Sequence, residues 1–205
     1  MLALQGAFAE HRVALTRLGC DVIDVRTPAQ LEVVDALAMP GGESTTMTRL
    51  LGTSGLFDAV GARLADGMAV FGTCAGMILL AQDVVDGRPD QRTFSAIDIS
   101  VRRNGYGRQV DSFEADLAIV GLDLPFRAVF IRAPKLEALG DGVEVLARHD
   151  DTPVLVRGGS NGQILCAAFH PELTSDIRIH ELFLTYAFAS VRPTHSTSRS
   201  PHVRP

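Results

Sequence analysis

Phe71-Gly72-Thr73-Cys74-Ala75-Gly76-Met77 is the stretch on which the reading of this chain turns. The apolar run Met68-Ala69-Val70-Phe71 leads into it, and Met77-Ile78-Leu79-Leu80-Ala81 leads out. A short run without polar alternation fits a buried strand, and the second run fits a helix. Gly-x-Cys-x-Gly between them predicts a nucleophile elbow carrying a thiol, a strand-to-helix turn that lifts one side chain out of the sheet. Such a turn strains the backbone of the nucleophile and brings strand and helix close together, which suits glycine at 72 and 76. A helix opening at Ala75 would aim free N–H groups and a partial positive charge at the sulfur, favouring thiolate and offering a donor to an oxyanion. A free cysteine is more often a small buried hydrophobe, so the elbow needs support from the rest of the chain.

Upstream, Ala36–Met39 reads as a strand and runs into Pro40-Gly41-Gly42-Glu43-Ser44-Thr45-Thr46. There is no Gly-Lys-Ser/Thr and no G-x-G-x-x-G, which excludes a nucleotide loop. What remains is a flexible Gly-Gly peptide at the carboxyl end of a strand, where open α/β sheets bind ligands. Helices are expected over Ser44–Leu51 and Gly55–Ala65. Nearer the start, Leu2–Leu4 and Cys20–Val25 read as strands; the first begins almost at Met1, so residues are expected to precede it in a fuller chain. Ala7–Leu18 reads as a helix stopped by Gly19, with His11 as an edge or interface residue rather than a ligand. Thr27 and Pro28 open a short helix to Val34.

Downstream, Asp83–Ser95 is polar and reads as an exposed loop. Strands are expected at Ile97–Arg103, Ser112–Ile119, Ala128–Arg132, Val143–Arg148, Pro153–Arg157 and Gln163–Phe169, separated by polar and glycine-rich turns. A closing helix follows over Ile177–Val191, and Arg192–Pro205, rich in Pro, Ser, Thr and Arg, is expected to be disordered. With no repeat or linker, residues 1–191 form one expected domain. The predicted class is α/β, a single-domain three-layer sandwich around a central mixed, mostly parallel sheet.

Composition sets outer bounds. At 205 residues and 22.0 kDa, with 46% hydrophobic and 21% charged residues, the chain suits one α/β domain, or two small ones at most. A net charge of -5 and a pI near 5.6 speak against nucleic acid or an anionic membrane as partner. No apolar run approaches a transmembrane helix, and the start lacks a secretory signal. Three widely spaced cysteines make no disulfide framework, so a reducing, cytoplasmic setting is expected. The six histidines show no metal-ligand spacing, and no metal or cofactor is expected.

His170-Pro171-Glu172, closing the Gln163 strand, supplies the missing support for Cys74. A strand-terminal histidine with a carboxylate two residues on can set imidazole against sulfur and carboxylate behind imidazole, the nucleophile–base–orienter arrangement. Alone, His-Pro-Glu would be a surface turn. Together with the elbow and the Gly-Gly loop it is far more specific.

With these residues the chain resembles the class I, triad-type glutamine amidotransferases, whose fold is flavodoxin-like. More narrowly it resembles the glutaminase subunits of pyridoxal 5'-phosphate synthases. The narrow match rests on Leu4-Gln5-Gly6-Ala7-Phe8 with Glu10-His11, Pro40 to Thr45, Gly72 to Met77, Arg103-Asn104-Gly105-Tyr106-Gly107-Arg108-Gln109, Phe130 to Pro134, and Phe169 to Leu173. It runs from Met1 to about Val191, with a shortened first strand and a loosely matched 83–95 loop. The resemblance implies glutamine hydrolysis by Cys74, His170 and Glu172, with an oxyanion held by the N–H groups of Gly42 and Ala75. It implies a glutamine site made of Gly42, Glu43, Ser44, Arg103, Ile131 and Arg132. Glu43 would meet the ammonium and an arginine the α-carboxylate, Arg132 by side chain or backbone. The implied partner is a synthase subunit that accepts the ammonia and makes pyridoxal 5'-phosphate. A glutaminase serving another acceptor, and a non-hydrolytic redox or chaperone-like protein with an elbow cysteine, are the alternatives; the second has no use for His170 and Glu172.

Overall fold

The unbroken apolar runs become the centre of the sheet. In the computed structural model, which describes residues 1–88, 90–105 and 112–189, Ala36–Met39 (β1) lies parallel to Ala69–Thr73 (β2). Along the rest of the chain come Ala81–Val84 (β3), Ile97–Arg102 (β4), Ser112–Leu117 (β5), Phe126–Ile131 (β6) and Lys135–Leu139 (β7). Glu144–His149 (β8), Thr152–Gly158 (β9) and Ile164–Ala167 (β10) complete the strands. The central sheet has the order β1-β2-β10-β9-β8, parallel from β1 to β10 and antiparallel beyond. Every residue of β2 and β10 is buried, which is why neither shows a polar alternation: both faces are covered.

Successive residues of β2 show what covers each face. Phe71 packs against His11, His180 and Phe183, from the helices Phe8–Arg17 (α1) and Arg178–Ala187 (α6). Gly72 turns the other way, onto Leu80 and Gly76 of the helix Ala75–Leu80 (α5). Behind α5 lies Ser44–Thr53 (α3), which packs on Leu56–Ala65 (α4); α4 in turn meets Pro28–Glu32 (α2). Helix α2 opens as expected, with Thr27 and Gln30 forming a reciprocal cap. The α/β sandwich is therefore present.

Several expected elements differ. Leu2–Leu4 and Cys20–Val25 reduce to a single parallel bridge, Leu2 with Val25. The Leu2 N–H donates to the Ala38 carbonyl at 2.9 Å, so the first residues still fill the space between Val25 and β1. The elbow helix ends at Leu80, and Ala81, expected to continue it, begins β3, which pairs with β4. β7 was not anticipated, because Leu136, Glu137 and Ala138 are better helix than strand formers; antiparallel pairing with β4 overrides that preference. The polar 83–95 segment is largely exposed, as expected, but Asp83 and Val84 belong to β3 and its far end is tied down. Phe94 stacks on Phe57 at 4.5 Å, the Arg92 guanidinium sits 3.7 Å over the Phe57 ring, and Gln91 Nε2 donates to Thr48 Oγ1 at 3.0 Å. Tyr106–Gln109 and the 192–205 tail lie outside the described residues. Among the described residues no helix is long and apolar enough to cross a membrane.

β1 and α5 meet backbone to backbone. A Cβ placed on Gly76 would run into the Met39 carbonyl oxygen, and backbone cannot yield as a side chain can. Gly76→Ala is expected to lower stability by on the order of 1–3 kcal/mol, measured as a drop in denaturant midpoint. An unchanged midpoint would mean that α5 can ride away from β1 at little cost.

Candidate active site

Cys74 sits between β2 and α5 with φ 48° and ψ -101°, the strained conformation that an elbow demands. The surrounding backbone holds it there. Its N–H donates to the Ala167 carbonyl at 2.8 Å, and its carbonyl accepts from the Ile78 N–H at 3.2 Å. The neighbouring strand β10 that receives the first of these bonds also delivers the histidine. Beyond Phe169 the chain stays pinned, with the His170 N–H donating to the Val129 carbonyl at 2.8 Å.

The His170 ring is buried, and its Nδ1 lies 2.7 Å from Glu172 Oε1. That leaves Nε2 for Cys74. Burial pulls the His170 pKa down, but its interactions with Cys74 and the Glu172 carboxylate outweigh this and raise it to about 10. The Glu172 side chain has no exposure to solvent at all, because it lies in the 3-10 turn Pro171–Leu173 under α1.

Gly41 and Gly42 lie flush against this pair. A Cβ on Gly41 would collide with His170 Cε1 and come within 3.3 Å of Cys74 Cβ. On its other side the Gly41 carbonyl accepts from the Ala7 N–H at 3.3 Å, and Gly6, at φ 94°, is pressed against that oxygen. Gln5 Oε1 accepts from the Glu43 N–H at 2.9 Å, which fastens the next peptide along the chain.

A pocket of about 260 Å³ opens above Cys74 and His170. All the residues expected to bind substrate line it: Gly42, Glu43, Ser44, Arg103, Ile131 and Arg132. Gln5, Ile78 and Asn104 line it too; Ile78 was legible only as part of an apolar helix. Glu43 has a second task. Its carboxylate caps α3, accepting from the N–H groups of Thr45 at 3.0 Å and Thr46 at 2.7 Å and from Thr46 Oγ1 at 2.7 Å. Burial pushes its pKa up, yet these bonds prevail and bring it to about 2. Arg103 stands beside it, with Nη2 3.5 Å from Glu43 Oε1 and Nη1 3.5 Å from Thr45 Oγ1. Arg132 reaches the rim through a left-handed backbone, φ 42°, at the end of β6. A larger cavity of about 380 Å³ lies at the amino-terminal ends of the strands, among Met1, Cys20, Ala36 and Phe183, away from Cys74 and His170.

A strained cysteine, a buried His–Glu pair and a Gly-Gly peptide pressed against them are the features that the resemblance called for. Residues 1–188 match the SNO glutamine amidotransferase family. The chain belongs to that family. The chain is 55% identical over 185 residues to the pyridoxal 5'-phosphate synthase subunit PdxT of Parafrankia sp. (strain EAN1pec), covering 90% of each protein. It is 56% identical over 185 residues to the subunit of the same name from Frankia alni, covering 90% of this chain and 92% of that one. A solved glutamine amidotransferase shares 51% identity and superposes with a TM-score of 0.85, covering 91% of this chain and 96% of its own. A putative GMP synthase component from Thermoplasma acidophilum, at 16% identity and TM-score 0.65 over 93% of each chain, shares the fold. As a glutamine amidotransferase, the chain bears out both the expected family and the expected fold class.

One feature of this amidotransferase departs from the sequence reading. His11, expected at an edge or interface, is fully buried. Its Nδ1 lies 2.9 Å from His180 Nε2 and its Nε2 lies 3.1 Å from Thr73 Oγ1 and 3.3 Å from Glu172 Oε2. Helical spacing placed His11 on the same face as Leu15, but only the sheet above that face shows that the face is interior. Burial first, and then neighbouring His180 and His170, hold the His11 pKa well below the usual histidine value; burial alone brings His180 to about 4. In the unfolded chain both rings would take up a proton near pH 6.5 that the folded chain refuses. The contribution of these two rings to stability is therefore complete above about pH 6.5 and falls as pH drops towards 4, by roughly 3 kcal/mol for His180 at about 1.4 kcal/mol per unit. His170, raised instead of lowered, loses its contribution only as pH climbs from about 6.5 towards 10, outside this window. Denaturant midpoints between pH 6.5 and 5 should fall steadily, and His180→Phe should flatten that slope. A flat profile in the wild-type chain would show that the two rings are protonated in the fold.

Proposed function

We propose that this chain hydrolyses L-glutamine to L-glutamate and ammonia, and delivers the ammonia to a pyridoxal 5'-phosphate synthase subunit. The observation that carries the reading is the Cys74–His170–Glu172 line at the floor of a pocket walled by Glu43, Arg103 and Arg132. Cys74 Sγ attacks the carboxamide carbon. The oxyanion is received by the N–H groups of Ala75 and Gly42, and His170 gives its proton to the departing ammonia, leaving a thioester. His170 then takes a proton from water as the water attacks the thioester, and glutamate leaves as the thiol is restored. Glu172 keeps the imidazole in line through both halves. The steps need no metal and no cofactor. A His170–Glu172 contact of 2.7 Å speaks against the redox or chaperone alternative, which would make no use of it. The relatives' name favours pyridoxal phosphate synthesis over another acceptor. Three free cysteines, Cys20, Cys74 and Cys166, fit a reducing cytoplasm. Residues 1–191 are taken as the working domain.

Free glutamine carries an ammonium and a carboxylate at one end. Among the described residues the Arg103 guanidinium makes two contacts, both long at 3.5 Å, so a carboxylate can replace them with a closer charge-assisted pair. Glu43, ionised and facing the pocket, can receive the ammonium while still capping α3: Oε2 accepts from both the N–H and Oγ1 of Thr46, but Oε1, which accepts from the Thr45 N–H, keeps a second lone pair once Arg103 turns to the carboxylate. Ser44, Ile131 and the Arg132 backbone complete the enclosure.

These assignments are open to direct test. Cys74→Ala should abolish glutamate release, whereas Cys20→Ala and Cys166→Ala retain most of it. A glutamine-like electrophile should label Cys74, and stoichiometric label on Cys166 would sink the assignment. In the synthase complex, Arg103→Ala should cripple turnover of glutamine but scarcely affect an analogue lacking the α-carboxylate; equal losses would make Arg103 a structural residue.

The Gly41-Gly42 peptide is held by one long bond to Ala7 and has no side chain to resist turning. Docking of the synthase near Gln5 to His11 is expected to fix the Gly42 N–H on the oxyanion. One missing donor costs on the order of 10²–10³ in turnover, so the synthase should raise glutaminase activity by about that factor. Full activity of the isolated chain would contradict this account.

A further inference from the structure

Behind Glu172 lies a set of polar groups that none of the chemical steps uses. Glu172 Oε1 is committed to His170, while Oε2 is buried and lacks a well-formed hydrogen bond among the described residues. The histidine nitrogen facing it is His11 Nε2, at 3.3 Å. The same nitrogen is 3.1 Å from Thr73 Oγ1, and His11 Nδ1 is 2.9 Å from His180 Nε2. Four elements therefore converge here: α1, β2, the turn after β10, and α6.

Only one pattern of protons suits this set. A carboxylate oxygen cut off from water needs a donor, so the hydrogen of His11 belongs on Nε2. Nδ1 is then a lone pair, and must accept from His180 Nε2–H. That leaves His180 Nδ1 as an acceptor, and among the described residues it has no hydrogen-bond partner. The opposite pattern turns a His11 lone pair towards the carboxylate and strands Oε2. Neutral rings are required for such an alternation, and burial keeps both neutral at pH 7. The charged or titratable groups facing His11 are Glu172, His170 and His180, with the Met1 amine farther off.

We propose that His11 is a positioning residue for the triad: its Nε2–H holds Glu172 Oε2, and His180 fixes the tautomer that makes this possible. The carboxylate, held at both oxygens, cannot rotate away from His170 Nδ1, and the imidazole keeps its line to Cys74. Thr73, next to the nucleophile on β2, shares the same nitrogen and ties the network to the elbow. The proposal rests on the reading of Cys74, His170 and Glu172 as the reacting triad.

The test compares His11→Leu with His11→Gln in the complex with the synthase subunit, following glutamate release. Glutamine can set an amide N–H near the place of Nε2; leucine fills the space without a donor. His11→Leu should lower kcat by about 10- to 100-fold, as expected when a hydrogen bond to a buried charge is lost. KM for glutamine should stay within about twofold, and His11→Gln should recover most of kcat. In parallel, ¹⁵N imidazole spectra of the wild-type chain should show His11 and His180 neutral and protonated at Nε2. Wild-type kcat in His11→Leu would overturn the proposal. So would equal losses of activity and thermal stability in both variants, which describe a space-filling ring. If His11→Leu fails to fold, the wild-type spectrum decides, and an unprotonated His11 Nε2 overturns the proposal. Activity that survives Cys74→Ala would instead overturn the triad, a result distinguishable from all of these.

Discussion

Everything at the site depends on the contact between β1 and α5 at Met39 and Gly76. The backbone of Cys74 takes its strained conformation because the chain must leave β2 and start a helix within one residue, directly beside another strand. Two glycines permit the approach, and two hydrogen bonds, to Ala167 and from Ile78, keep the turn from relaxing. The partner strands of β2 then set the rest. The chain beyond β10 on one side reaches His170, and beyond β1 on the other it reaches Gly41-Gly42. Three consecutive strands of a parallel array thus bring their carboxyl ends to one rim, where such sheets place their ligands.

The second constraint is electrostatic. His170, Glu172, His11 and His180 are all buried within one small region, an arrangement that costs stability unless each group has a partner of the right kind. The two outer histidines meet that demand by staying neutral, and His170 meets it by taking on charge beside Cys74 and Glu172. Environments that push neighbouring histidines in opposite directions are a mark of functional sites. At the pocket rim, Glu43 shows a different economy: one carboxylate caps α3, borders Arg103 and faces the pocket.

Much of this was legible in the order of residues. Gly72, Cys74 and Gly76 declare the elbow because a backbone conformation that few residues tolerate leaves a local signature. The unbroken runs Ala36–Met39 and Met68–Phe71 declare buried strands, and His170-Pro171-Glu172 declares a His–Glu pair too close in sequence to be far apart in space. Shared motifs from Gln5 to Leu173 then drew Glu43, Ser44, Arg103, Ile131 and Arg132 to a single place, where the pocket has them.

What the sequence determined by itself is what depends on neighbours within a few residues: the elbow, the caps, the buried strands, and the His–Glu spacing. Tertiary structure alone decided which distant groups meet. It turned Lys135–Leu139 into a strand by pairing it with β4, although Leu136, Glu137 and Ala138 favour a helix. It folded the polar 83–95 segment onto Phe57 and Thr48. It also took His11, which helical spacing left as an edge or interface residue, and enclosed it between α6 and Glu172. Periodicity tells which residues share a face; burial, and with it the proton on a ring nitrogen, is set by whatever the fold packs against that face.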